Sequence, residues 1–267
     1  MLMHPVINPI AVSLGPFNIR WYGLMYLIGF VLAWGLGRYR ASQPDSDWTA
    51  QMVDDCVTLC VVGLIIGARL GYVLFYDLGY YIDNLMNILA IWHGGMSFHG
   101  GAIGVALCLW WFSRRYSKSF LTVGDFITPL IPPGLFVGRL GNFINAELWG
   151  RTTDMPWAMV FSDPMAGPYP RHPSQLYEAG AEGIVLFTVL WMFSSWPRPT
   201  GAVCGLFLLC YGSFRFGIEF FRQPDLQLGY IAFDWLTMGQ VLSLPMVFLG
   251  TGLLVWVYCR NLRMDNG

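Results

Sequence analysis

Residues Phe120–Gly150 read FLTVGDFITPLIPPGLFVGRLGNFINAELWG, and the two halves of this stretch demand different surroundings. The first half, up to Gly138, is apolar and close to the ~20 helical residues that cross a hydrocarbon core. Pro129, Pro132 and Pro133 must kink or break such a helix, and broken backbone at membrane depth survives only where protein or a water-filled cavity covers it. The second half sets Arg139, Asn142, Asn145 and Glu147 among glycines and large apolar side chains, a mixture that lipid does not tolerate. If the helix continues, residues three and four apart share a face, and Arg139, Asn142 and Asn145 line one side. Intramembrane ions are costly and functional by default. A guanidinium offers a planar fork of donors that suits phosphate or carboxylate, and asparagine adds donors and an acceptor without charge. The stretch therefore reads as an anion site, set against the plainer reading of a polar turn at a membrane surface.

The rest of the chain supplies the setting. Of 267 residues, 55% are hydrophobic and only 12% charged, with a mean hydropathy of +0.51, which is the composition of an integral membrane protein. Lys118 is the only lysine and the arginines are scattered, so the clustered basic face of a nucleic-acid binder is missing. Six cysteines lie in apolar segments with neither CxxC spacing nor companion histidines. They read as small buried hydrophobes, and no metal site is expected. The opening MLMHPVINPIAVSLGPFNIRW lacks a basic n-region and a small-residue cleavage site, so the chain is expected to insert through its own spans, uncleaved.

Seven apolar segments, near 20–38, 53–75, 96–113, 120–138, 178–196, 201–221 and 234–259, predict an all-α polytopic membrane protein with seven transmembrane helices in a single domain, 1–267. Residues 77–95, with Trp92 and several tyrosines, read as interfacial. A turn-rich stretch within about 142–175 reads as an extramembrane loop region. Arg38 and Arg40, Arg114, Arg115 and Lys118, Arg198, and Arg260 and Arg263 all fall in odd-numbered connections, with Arg20, Arg151 and Arg171 the exceptions on the outer side. Short cytoplasmic loops carry the excess of Lys and Arg, which predicts the N-terminus outside, the C-terminus inside and the long loop in the periplasm.

That orientation brings the intramembrane polar groups to one depth. Tyr22 and His99 open the first and third spans from outside; Arg69 and Arg139 come late in outward-running spans; Glu178 and Glu182 begin the fifth. In the sixth, Tyr211, Arg215 and Glu219 follow one another at i, i+4, with Arg222 three further on. All lie in the outer half, which predicts a hydrated cavity open to the outer leaflet. Each has a plainer reading as well: Arg215 and Glu219 as an ion pair locking helices, Tyr22 and Tyr211 as interface anchors or core aromatics. His99 sits inside HGGMSFHGG, where glycines admit close approach, and an imidazole there can take or give a proton near neutrality. His172 is either a turn residue or a substrate contact.

GRLGNFINAELWGR, HGGMSFHGG, WYGLMY, HPSQLYEA and YGSFRFGIEFFRQPD, in this chain's order and spacing, resemble the bacterial phosphatidylglycerol:prolipoprotein diacylglyceryl transferase family over nearly the whole chain. Ala146 is the one departure, where members often carry glycine. The resemblance implies transfer of the diacylglyceryl group of phosphatidylglycerol to the thiol of the lipobox cysteine in a prolipoprotein signal peptide, forming a thioether and releasing glycerol phosphate. It implies no cofactor, and a multi-pass protein of the bacterial inner membrane with its site towards the outer leaflet. The family's essential positions fall on His99, Arg139, Asn142, Gly150, Arg215 and Glu219, with Tyr22, Asn145, Glu147 and Tyr211 supporting. On this reading His99, Arg139 and Arg215 do the chemistry, with either His99 as base or the field of the two arginines raising the thiolate fraction; Asn142 and Asn145 orient the head group, and Glu147 and Glu219 hold the arginine forks. A lipid or solute transporter using the same cavity is the competing class, and it would form no covalent product.

Overall fold

A computed structural model describes residues 2–15, 17–224 and 229–265. Helices dominate: α1 Trp21–Ala41, α2 Ala50–Phe75, α3 Leu78–Asp83, α4 Phe98–Arg115, α5 Phe120–Ile127, α6 Ile131–Ile144, α7 Ser174–Glu178, α8 Leu186–Phe193, α9 Ala202–Ile218 and α10 Met238–Asp265. Strands are short. β1 (Leu2–Met3) runs parallel to β4 (Met159–Val160), and β2 (Ile10–Leu14) pairs antiparallel with β3 (Phe17–Arg20). Among the described residues, Ala50–Phe75, Phe120–Ile144, Ser174–Phe193 and Met238–Leu262 are each long and apolar enough to cross a membrane. Large side chains such as Leu107, Phe248 and Leu249 stand exposed along the helices, which suits lipid and not water. The protein is therefore a multi-pass membrane protein.

The chain forms two compact units, residues 34–123 and residues 1–33 with 124–267. In the first, α2 and α4 lie backbone to backbone. A Cβ on Gly71 would stand 2.7 Å from the Cα of Gly100, and one on Gly67 would stand 2.8 Å from the Cα of Gly104. Such small-residue seams let apolar helices gain close van der Waals contact where no hydrophobic effect drives them together. The connection between them carries α3 and two 3₁₀ turns, Leu85–Leu89 and Ile91–His93.

In the second unit, the proline-rich stretch breaks as expected. α5 gives way to a 3₁₀ turn at Thr128–Leu130, and α6 restarts with Pro132 and Pro133 in its first turn, where their missing N–H groups cost nothing. Asp125 on α5 accepts from the backbone N–H of Gly201 at 2.6 Å and of Cys204 at 2.8 Å. A carboxylate from a neighbouring helix thereby caps the N-terminus of α9. The helix from Ser174 to Phe193 is continuous but widens into a π-helical turn over Ala179–Val185, a feature frequent at functional sites. Within that turn Gly183 has no room for a side chain, since a Cβ would stand 2.6 Å from the Cβ of Phe136 on α6. The close approach sets Arg139, three residues beyond Phe136, against this helix.

Candidate functional site

Arg139 and Arg215 meet on one carboxylate. Glu178, 1% exposed, pairs through Oε2 with Arg139 Nε at 2.8 Å and accepts through Oε1 from Arg215 Nη1 at 2.7 Å. Arg222 Nη1 stands 3.7 Å from the same Oε1. Arg139 Nη2 reaches Glu182 Oε2 at 3.5 Å, and Arg215 Nη2 pairs with Glu219 Oε2 at 2.8 Å. Three guanidiniums and three carboxylates thus form one network between α6, the Ser174–Phe193 helix, α9 and the turn that follows α9. Burying these charges costs several kcal/mol per ion, which only their mutual pairing offsets.

The pairing is uneven, and this has chemical consequences. Glu178 and Glu182 sit one turn apart on the Nε and Nη2 side of Arg139, the first as an ion contact without an aligned hydrogen bond, and Nη1 has no protein partner among the described residues. Arg215 is engaged through both terminal nitrogens. Arg139 therefore has one end of its fork unengaged among the described residues, whereas Arg215 is held at both ends by the protein. Glu182 is fully buried with only the 3.5 Å contact, and its Oε1 has no partner among the described residues.

The polar turn after α6 is built separately. The N–H of Ala146 bonds the carbonyl of Phe143 at 3.0 Å and that of Glu147 bonds the carbonyl of Asn142 at 3.1 Å, the two bonds of a Schellman ending. Ala146 takes the left-handed position, φ 57°, which glycine occupies at no steric cost; the departure seen in the sequence falls at this point. The reversal folds Glu147 back over its own helix, where Oε1 accepts from Asn142 Nδ2 at 2.8 Å and Asn145 Nδ2 at 3.3 Å. Glu147 therefore fixes two amides and no arginine fork. Glu178 and Glu182, read in the sequence only as polar openings of the fifth span, join Glu219 in that task.

Gly150 is a joint between strands of the chain. Its N–H bonds the carbonyl of His172 at 2.9 Å, and a Cβ would lie 2.6 Å from the carbonyl oxygens of both His172 and Phe221. Arg171 donates to its carbonyl at 3.1 Å while stacking over Trp149. The crossing ties the loop to the end of α9, beside Glu219 and Arg222. His172 Nδ1 and Tyr177 Oη share a hydrogen bond at 3.0 Å, and Trp157 donates to the same Oη at 2.6 Å. Burial holds the His172 imidazole below its ordinary titration range. Sequence reasoning overlooked His4, which is buried and donates from Nε2 to the carbonyl of Phe143 at 2.7 Å. It clips the N-terminal arm onto the end of α6, and no local pattern announces it.

Tyr22 opens α1 beside Gly141 and bonds Tyr26 Oη at 3.1 Å. Tyr211 stacks on Phe207 at 5.7 Å between ring centres. His99 lies in the other compact unit, exposed in the first turn of α4. Arg69, read as a cavity group, is instead 4% exposed with its donors turned to backbone carbonyls. Asp225, the last residue of YGSFRFGIEFFRQPD, lies outside the described residues.

Comparison with known proteins identifies the family. The profile of the prolipoprotein diacylglyceryl transferase family matches residues 9–256. The phosphatidylglycerol–prolipoprotein diacylglyceryl transferase of Nitratidesulfovibrio vulgaris (strain DP4) is 61% identical over 254 residues, 95% of this chain and 96% of that protein. The protein of the same name from N. vulgaris (strain DSM 19637 / Miyazaki F) is 59% identical over 267 residues, 100% of this chain and 98% of its own length. That of Coxiella burnetii (strain RSA 331 / Henzerling II) is 59% identical over 263 residues, 98% of this chain and 100% of its own. The chain belongs to the prolipoprotein diacylglyceryl transferase family.

Proposed function

We propose that this protein transfers the diacylglyceryl group of phosphatidylglycerol to the lipobox cysteine of prolipoproteins. The observation that carries the reading is the 59–61% identity to transferases of that name over nearly the whole chain. The thiolate sulfur attacks the glyceryl carbon that bears the phosphate ester. A carbon–sulfur bond forms, the carbon–oxygen bond breaks, and the thiol proton passes to a base while glycerol phosphate leaves. Negative charge gathers on the phosphate, and the unengaged end of Arg139 is the group placed to take it. Arg215, spread between Glu178 and Glu219, holds the network and adds positive field. Asn142 and Asn145, locked by Glu147, orient the head group; Tyr22 and Tyr211 wall it, and Gly150 keeps the loop seated over it. A thiol of pKa about 8.5 is mostly protonated at neutral pH, and His99 serves as the base that removes its proton.

The same reading places the protein in the inner membrane as one domain of seven spans, N-terminus outside, with the chemistry towards the outer leaflet. What supports it is the coincidence of helices 21–41, 50–75, 98–115, 120–144, 174–193, 202–218 and 238–265 with the seven apolar segments, and the basic residues in odd-numbered connections. The test is covalent product. Purified protein incubated with phosphatidylglycerol vesicles and a lipobox peptide should add one diacylglyceryl mass to the cysteine. A peptide of unchanged mass would leave only a lipid-binding or transport role.

A further inference from the structure

Arg69 is a buried charge with no acidic partner among the described residues. All five of its N–H donors go to main-chain carbonyls: Nε to Ile88 at 2.9 Å, Nη1 to Gly94 at 2.5 Å and Gly95 at 3.0 Å, Nη2 to Asn87 at 2.6 Å and Ala90 at 3.3 Å. The guanidinium also lies over the Tyr81 ring, 5.1 Å from its centre. The carbonyls it gathers belong to the irregular connection between α3 and α4, which has no regular ladder to satisfy them. Gly94 and Gly95, at φ 85° and 75°, turn this connection into α4, and a Cβ on Gly95 would press on Arg69 Nη1 at 2.9 Å.

The start of α4 is fastened to α2 at adjoining points. The N–H of Ser97 bonds the carbonyl of Ala68 at 2.8 Å, Ser97 Oγ caps the N–H of Gly100 at 3.3 Å, and Gly100 packs on Gly71. His99 stands between these anchors. Its ring is exposed, meets Phe98 edge-on at 5.7 Å and makes no protein hydrogen bond among the described residues. A base with no side-chain partner to orient it depends on its backbone for placement. We infer that Arg69 is a positioning residue that sets His99 for the transfer by gathering the connection that leads into α4. This rests on the reading of His99 as the base.

A double-mutant cycle in the full-length protein, reconstituted with phosphatidylglycerol and assayed with a lipobox peptide, tests it. His99→Gln should lower kcat by about 10²-fold or more, the scale of a lost general base. Arg69→Lys, which keeps the charge but reaches fewer carbonyls, should lower kcat by up to about 10²-fold, the scale of a misplaced group, with KM for the lipid little changed. Raising the pH should partly restore both variants, because hydroxide then supplies the thiolate. The double variant should be no slower than His99→Gln alone. Independent losses that multiply, or Arg69→Lys at wild-type rate, would overturn the positioning role while leaving His99 as the base. A normal rate in His99→Gln would overturn both. If thermal melting shows Arg69→Lys unfolded at the assay temperature, Tyr81→Leu replaces it in the cycle, since it removes the ring beneath the guanidinium and spares its carbonyls. A smaller kcat loss that again vanishes in the His99→Gln background is then expected, and no loss at all would overturn the inference.

Discussion

Arg139 Nε stands 2.8 Å from Oε2 of Glu178, so the guanidinium proposed to take the phosphate is held on one side by a buried carboxylate before any substrate arrives. That side is occupied and the other is open, which is how a fork can be both fixed in direction and ready to bind. Glu178 does this for two arginines at once, since its second oxygen takes Arg215.

The two glutamates of this helix should therefore behave differently. Glu178→Gln removes a charge that pairs with Arg139 and Arg215, and should cost ~3–5 kcal/mol by leaving buried charge uncompensated. Activity should fall below detection. Glu182→Gln changes only a 3.5 Å contact and should melt within a few degrees of wild type. Thermal unfolding in detergent beside the transfer assay checks both, and equal destabilisation would show that Glu182 carries as much of the network as Glu178.

Gly150→Ala tests the joint. Its methyl must enter a space bounded by two carbonyl oxygens at 2.6 Å, and forcing carbon into packed backbone costs ~1–3 kcal/mol. Reduced transfer with a lowered melting temperature is expected. Lost transfer at unchanged stability would mean that Gly150 meets substrate directly.

The His172 imidazole gives a pH signature. Burial lowers its pKa in the fold, so the unfolded chain binds the proton more readily. Its contribution to stability is present above the ordinary value near 6.5 and is lost as pH falls through the lowered value. Wild-type melting temperature should drop between about pH 7 and pH 5 more steeply than that of His172→Gln. Parallel curves would remove His172 as a source of acid sensitivity.

Topology follows from the basic residues in the odd-numbered connections. Reporter fusions after residues 116 and 198 should read cytoplasmic, and those near 80 and 162 periplasmic. A cytoplasmic signal at 162 would reverse the proposed orientation and move the chemistry to the inner leaflet.

What the sequence revealed of this site depended on whether an interaction stays within one helix. Arg215 and Glu219 are four residues apart, and their pairing could be read from spacing alone. Arg139 and Glu178 are brought together by α6 packing at Gly183 and by a π-helical turn, neither of which has a local signature in a single sequence. Hence chain proximity alone points Glu147 at Arg139, whereas the Schellman reversal turns it onto Asn142 and Asn145. The apolar runs located the long helices and the prolines located the break at Thr128–Leu130. The β1–β4 pairing and the His4 clip join residues about 140 to 160 apart, beyond the reach of periodicity.

The most direct measurement is the transfer rate of Arg139→Lys, with folding verified by thermal melting. Lysine keeps the charge but offers a compact ammonium in place of a planar fork. It cannot pair with Glu178 and Glu182 and still present a second edge to phosphate. The account predicts a folded protein that transfers diacylglyceryl at a small fraction of the wild-type rate, with Arg139→Ala below detection. A near wild-type rate for Arg139→Lys would show that a diffuse positive field is enough and that the phosphate is not forked by Arg139.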